Sequence, residues 1–153
     1  MPSPRPVSDL TDHIGFWLRM VSNHVSHAFA AKLADKKVTV AEWSLMRALY
    51  GGEPMSPSRL ASAMGLSRGA ITKLADRLIA KSLILREASA DDGRAQTLAL
   101  TDRGSALVPD LAALADRNDA EFFESLTTGE RETLERLLKS LAQCGGMTAI
   151  PIK

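Results

Sequence analysis

Residues 56–78 read SPSRLASAMGLSRGAITKLADRL, and they decide the fold. Ser56-Pro57 reads as an N-cap followed by a first-turn proline, whose missing N–H costs a helix nothing there. Leu60, Ala61 and Met64 then repeat at helical spacing until Gly65 breaks the run. Ser67 caps a second helix with Ile71, Leu74 and Leu78 on one face. Two short helices crossing steeply need a small residue where they approach most closely, and Ala61 supplies it. The tight turn favours a residue free to take positive φ, and Gly65 supplies that. Leu60, Met64, Leu66, Ile71 and Leu74 can then share one core. This is the helix-turn-helix pattern, whose second helix enters a DNA major groove by its N-terminal end. An ordinary helical hairpin is the alternative on spacing alone.

The surface of the second helix bears on that choice. With its apolar face inward, Ser67, Arg68, Gly69, Thr72, Lys73 and Asp76 fall on the opposite side or its flanks. Hydroxyls and cations at a helix start suit phosphates and base edges, and the helix dipole adds attraction for anions. Glycine inside a helix costs about 1 kcal/mol against alanine. Close backbone approach to DNA would explain Gly69, and so would an internal packing contact.

Downstream, ASADDGRAQTLALT (88–101) turns on Asp92-Gly93 and then alternates apolar with small or polar residues. With Leu83–Leu85 and Thr97–Leu100 as strands, it predicts a β-hairpin. A hairpin after a helix-turn-helix makes a winged helix. Arg94 near the tip suits the narrow, electronegative minor groove of A·T-rich DNA, with Asp92 placed to hold its guanidinium. A surface turn with a local ion pair is the plainer alternative.

Helical periodicity accounts for the flanks. After a Pro-rich, frayed start, Ile14, Leu18, Val21, Val25, Phe29 and Leu33 mark a long first helix ending near Lys36-Lys37. Thr39 and Glu42 fit a capping box for a helix through Trp43, Met46 and Leu49, stopped by Gly51-Gly52. Thr101 caps a long fifth helix carrying Leu107, Leu111, Leu114 and Phe122. Thr127 and Glu130 form a second capping box, opening a sixth helix with Leu134, Leu137, Leu138 and Leu141. These leucines, with Ile14, Leu18 and Val21, exceed what one winged-helix core needs. They could bury a two-fold interface between copies, or enlarge a monomeric core.

The set LSRGAITKLADRLIAKSLILREASADDGRAQTLALTDRG (66–104) resembles the recognition helix and wing of the MarR family of bacterial regulators. The matching features are Leu66-Ser67-Arg68, Asp76-Arg77-Leu78, Lys81-Ser-Leu-Ile, Asp92-x-Arg94 and Leu100-Thr101-Asp-Arg-Gly104. The six-helix layout and the closing LTTGERETLERLLKSL extend the likeness over about residues 10–143. The resemblance implies a mainly α fold with a small β-wing, built as a homodimer. Residues 1–9 form a flexible N-terminus and 144–153 a C-terminal tail. The winged helix-turn-helix spans about 39–100, between dimerisation helices at about 10–35 and 102–143.

As the resemblance has it, the protein is a cytoplasmic, ligand-responsive repressor binding double-stranded DNA at a palindromic operator. It implies groove or phosphate contacts for Ser67, Arg68, Thr72 and Lys73, a backbone clamp at Arg77, and Asp92 with Arg94 in the wing; Gly69 joins the DNA-binding set as the point of close backbone approach. It also implies a crevice between the first, second and fifth helices for a small aromatic or phenolic effector. Its expected lining is His13, Trp17, Met20, Trp43 and Arg47, although such bulky clusters also serve simply as core.

Composition limits the rivals. At 153 residues, 45% hydrophobic and 24% charged, the chain fits one globular domain. Its net charge of +1 hides a basic stretch, with eight Lys/Arg against five Asp/Glu over 56–103 and five against eight over 104–153. No apolar run approaches the roughly 18–20 residues that cross a bilayer, and the start lacks a secretion signal, so a cytoplasmic address is expected. No nucleophile elbow, phosphate-cradling loop or zinc-type cysteine pair occurs, so no enzyme and no cofactor are expected. His24-x-x-His27 offers two imidazoles, too few for a metal site, with His13 about 16 Å away along the helix. The lone Cys144 reads as a spare thiol after the last helix, with a thiol-based redox regulator as the rival. A winged-helix module for protein–protein contact is the other.

Overall fold

Six helices and one antiparallel hairpin make up the computed structural model, which describes residues 1–88 and 96–153. A short 3-10 turn at Leu10–Asp12 precedes α1 (Ile14–Ala34). There follow α2 (Val40–Leu49), α3 (Pro57–Met64), α4 (Arg68–Ala80), β1 (Ile84–Ala88), β2 (Gln96–Leu100), α5 (Asp102–Phe122) and α6 (Thr128–Cys144). This is the winged helix-turn-helix with six helices that the sequence predicts.

The helix starts follow from side-chain chemistry. Ser56, Ser67, Thr101 and Thr127 each accept a hydrogen bond from the backbone N–H three residues on, satisfying donors that a helix start leaves free. At α6 the box closes. Thr127 N–H donates to Glu130 at 2.9 Å and holds its carboxyl below the usual glutamate range. Gly65 ends α3 with φ +66°, as the turn requires.

At Thr39 the expected box is half right. Its hydroxyl accepts from Glu42 N–H, but the Glu42 carboxylate turns inward to Lys81, 2.7 Å away. Glu42 is 1% exposed, and a buried carboxylate without a partner would cost several kcal/mol. Lys81 also donates to the Lys37 carbonyl, so one ammonium pins the start of α2 to the end of α4.

β1 and β2 pair from Ile84 opposite Leu100 to Ala88 opposite Gln96. Met55 adds a one-residue third strand, exchanging both backbone hydrogen bonds with Leu98 at 3.0 and 2.7 Å. The hairpin is then clamped to α5. Thr101 donates through N–H to Leu83 O and through Oγ1 to Ser82 O, while Arg103 donates to Lys81 O. Gly104 lies so close to Leu83 that a Cβ there would stand 2.1 Å from its carbonyl oxygen.

Leu33, Leu45, Met46, Leu60, Ile71 and Leu111 are among the core side chains with no exposed surface. A polar joint adds to them where α1 crosses α5. Asn118, 3% exposed, accepts from Lys32 at 2.9 Å and donates to Val25 O at 3.2 Å.

Two regions depart from the sequence expectation. Cys144 is the last, exposed residue of α6 rather than part of a following tail. Beyond it, Gly146 takes φ +63° and Met147 N–H bonds back to Ala142 O, reversing the chain in a Schellman-type cap. Ile150 and Ile152 then pack against the core, so the segment after α6 is docked. Among the described residues no helix is long and apolar enough to cross a membrane.

Candidate nucleic-acid interface

α4 separates its faces sharply. Ile71, Leu74, Ala75 and Leu78 are buried, whereas Ser67, Arg68, Gly69, Thr72, Lys73 and Arg77 are all exposed. The Ser67 oxygen accepts from Ala70 N–H at 3.1 Å, which leaves its O–H free to donate outward. Thr72 donates to Arg68 O at 3.1 Å and keeps lone pairs for accepting. Among the described residues no carboxylate forms a salt bridge with Arg68, Lys73 or Arg77. Asp76, on the flank, is instead engaged by Arg86, which fastens α4 to β1. A Cβ at Gly69 would meet nothing within 4 Å. Internal packing therefore does not explain that glycine. Asp92 and Arg94 lie outside the described residues.

The apolar set read as dimerising stays out of the core. Ile14 is 86% exposed and Leu141 62%; Leu18, Val21, Leu137 and Leu138 are exposed too, and Leu134 is half-buried. No residue of α6 is buried. The larger monomeric core that these residues could have formed is absent among the described residues.

The expected effector lining does not converge. A crevice of about 350 Å³ does open between α1, α2 and α5, walled by Val25, Phe29, Val40, Trp43 and Asn118. Of the five expected residues only Trp43 reaches it. His13 and Met20 face a separate groove beside Phe16 and Arg19. Trp17 donates to Thr11 O and meets Phe16 edge-on, and Arg47 sits over the Tyr50 ring. Sequence reasoning missed Asn118 and the segment around Ile150, which also walls the crevice. A lone Asn amid the apolar spacing of α5 was the available signal for the first.

His24 packs against the Phe122 ring and His27 is exposed. Lys139, the cation nearest in sequence to Cys144, is paired with Glu135.

A buried-faced helix presenting hydroxyls and cations that form no salt bridge among the described residues, followed by a clamped hairpin, defines a winged helix-turn-helix protein. A MarR family profile matches residues 36–95. A Thauera aromatica protein assigned to transcriptional regulation of the hcr operon is 30% identical over 133 residues, 86% of this chain and 80% of that protein. The chain belongs to the MarR family, whose members are transcriptional regulators rather than enzymes. Among solved structures, an E. coli MarR variant complexed with operator DNA is 27% identical, with a TM-score of 0.75 over 88% of this chain and 99% of that one. CouR from Rhodococcus jostii RHA1, bound to p-coumaroyl-CoA, shares the fold at 24% identity. Its TM-score is 0.74 over 95% of this chain and all of that one.

Proposed function

We propose that this regulator is a ligand-responsive repressor, acting in the cytoplasm, that grips a palindromic operator as a homodimer. The carrying observation is the capped start of α4, where Ser67, Arg68, Thr72 and Lys73 stand exposed over a buried apolar face. In this reading they contact bases and phosphates, Arg77 clamps the backbone, and Arg94 with Asp92 serves the minor groove. Operator DNA bound by the E. coli relative supports the mode of binding. The uncovered apolar residues of α1 and α6 support the dimer. The crevice at Trp43, with p-coumaroyl-CoA held by CouR, supports a small aromatic effector.

A two-fold protein reads a two-fold site. Selection from random duplexes is expected to enrich a palindrome whose half-site centres lie one helical turn apart, roughly 34–36 Å. Enrichment of no duplex, or of sites lacking dyad symmetry, overturns the proposal.

Gly69→Ala separates fold from function. Open space around it lets alanine improve the helix, raising stability by about 0.5–1 kcal/mol. The same methyl intrudes where DNA backbone must approach, and lowers operator affinity about tenfold, or about 1.4 kcal/mol. Denaturant unfolding and fluorescence anisotropy read the two effects. A variant that binds as well as its parent removes the close-approach role.

A further inference from the structure

The segment that follows α6 touches two distant places at once. Ile150 N–H donates to Met64 O at 2.9 Å, satisfying a carbonyl that the end of α3 leaves free. One residue earlier the backbone lies flat on the helix-turn-helix turn. A Cβ at Gly65 would stand 2.7 Å from Ala149 Cα and 3.2 Å from Thr148 O. Gly65 therefore serves both the positive φ of the turn and the close passage of this segment. Immediately beyond, Ile150, Pro151 and Lys153 form a wall of the crevice that Phe29 and Trp43 line from the other side of the chain fold.

We propose that residues 148–153 are a strap that transmits occupancy of the crevice to the helix-turn-helix. The proposal rests on the reading of the protein as a ligand-responsive regulator and deepens it. Whatever fills the crevice presses on Ile150 and Pro151. Their segment is fixed by the Ile150 N–H on Met64 O and by the passage of Ala149 against Gly65, two residues ahead of the Ser67 cap. Displacing the strap frees the Met64 carbonyl and uncovers Gly65, so the start of α4 loses a support that the DNA-binding geometry uses. Lys153 is the one cation in the described lining, which also holds Asp116 and Asp119. The strap thus also sets the charge that an entering molecule meets.

The test fills the crevice without needing its natural ligand. Ala115 lines the crevice on α5, and Ala115→Phe adds a ring there. In the full chain this variant is expected to weaken binding to the selected duplex about tenfold. It should also speed amide exchange at Leu66 and at position 150 by a similar factor. Ile150→Asp with Ile152→Asp releases the strap. In that background the added ring should change neither readout more than about twofold. Equal fold-changes in both backgrounds overturn the strap. If the parent binds no duplex, the DNA-binding reading fails, while the exchange measurement still decides the strap. Circular dichroism checks folding. Should Ala115→Phe not fold, Ser44→Phe fills the same crevice from α2 and is judged by the same criteria.

Discussion

Replacing both Arg68 and Lys73 by alanine is expected to abolish operator binding at physiological salt while leaving the fold intact. Both side chains are exposed and free of salt bridges among the described residues, so their loss should move stability by no more than about 0.5 kcal/mol. The proposed dimer loses four cations at once. At about 1 kcal/mol each, affinity falls on the order of a thousandfold. If all four neutralise phosphates, the slope of log affinity against log salt becomes shallower by about 3.6. Anisotropy titrations at several salt concentrations measure both quantities. A smaller change in slope with altered sequence preference would assign one of the pair to a base. An unchanged affinity would remove α4 from the interface.

The second large effect concerns a residue where α5 meets the hairpin. Gly104→Ala should destabilise the chain by about 3 kcal/mol or more, although alanine favours helices over glycine by about 1 kcal/mol. The added Cβ would sit 2.1 Å from Leu83 O and 3.2 Å from Leu100 Cδ2. Leu83 cannot retreat cheaply, because its carbonyl accepts from Thr101 N–H while Thr101 and Arg103 hold the two residues before it. Relief requires parting α5 from the hairpin. For a chain of this size the melting temperature should fall by roughly 6–12 °C. A Gly104→Ala protein that unfolds with its parent would show that α5 and the turn at Leu83 do not meet this closely. This contact gives a physical reason for the Leu100-Thr-Asp-Arg-Gly104 run. Threonine caps and bonds, arginine bonds, and glycine lets the helix in.

What was legible in the sequence was local. Caps at Ser56, Ser67, Thr101 and Thr127 depend on residues three apart, and the Gly65 turn on one backbone angle. Such features are written in adjacent letters. Met55 was not legible, because a one-residue strand has no period to detect. Glu42 was misread because its neighbours fit a capping box, while Lys81, which captures it, lies 39 residues away. The effector lining failed for a reason of length. Twelve helical residues put Trp17 about 18 Å from Phe29, so one small crevice cannot hold both. The exposed side of α4 was readable because it follows directly from which residues are apolar. The strap was not, since nothing in TAIPIK announces where the chain returns.

α6 offers a different lesson. Seventeen residues long, it fully buries none of its own side chains in a lone subunit, and most of a helix's stability in a protein comes from such packing. In the proposed homodimer, a newly made copy is open to proteolysis along this helix until it pairs. Dilution should accordingly hasten cleavage between Thr128 and Cys144, and the cell's own supply of the regulator then governs its lifetime.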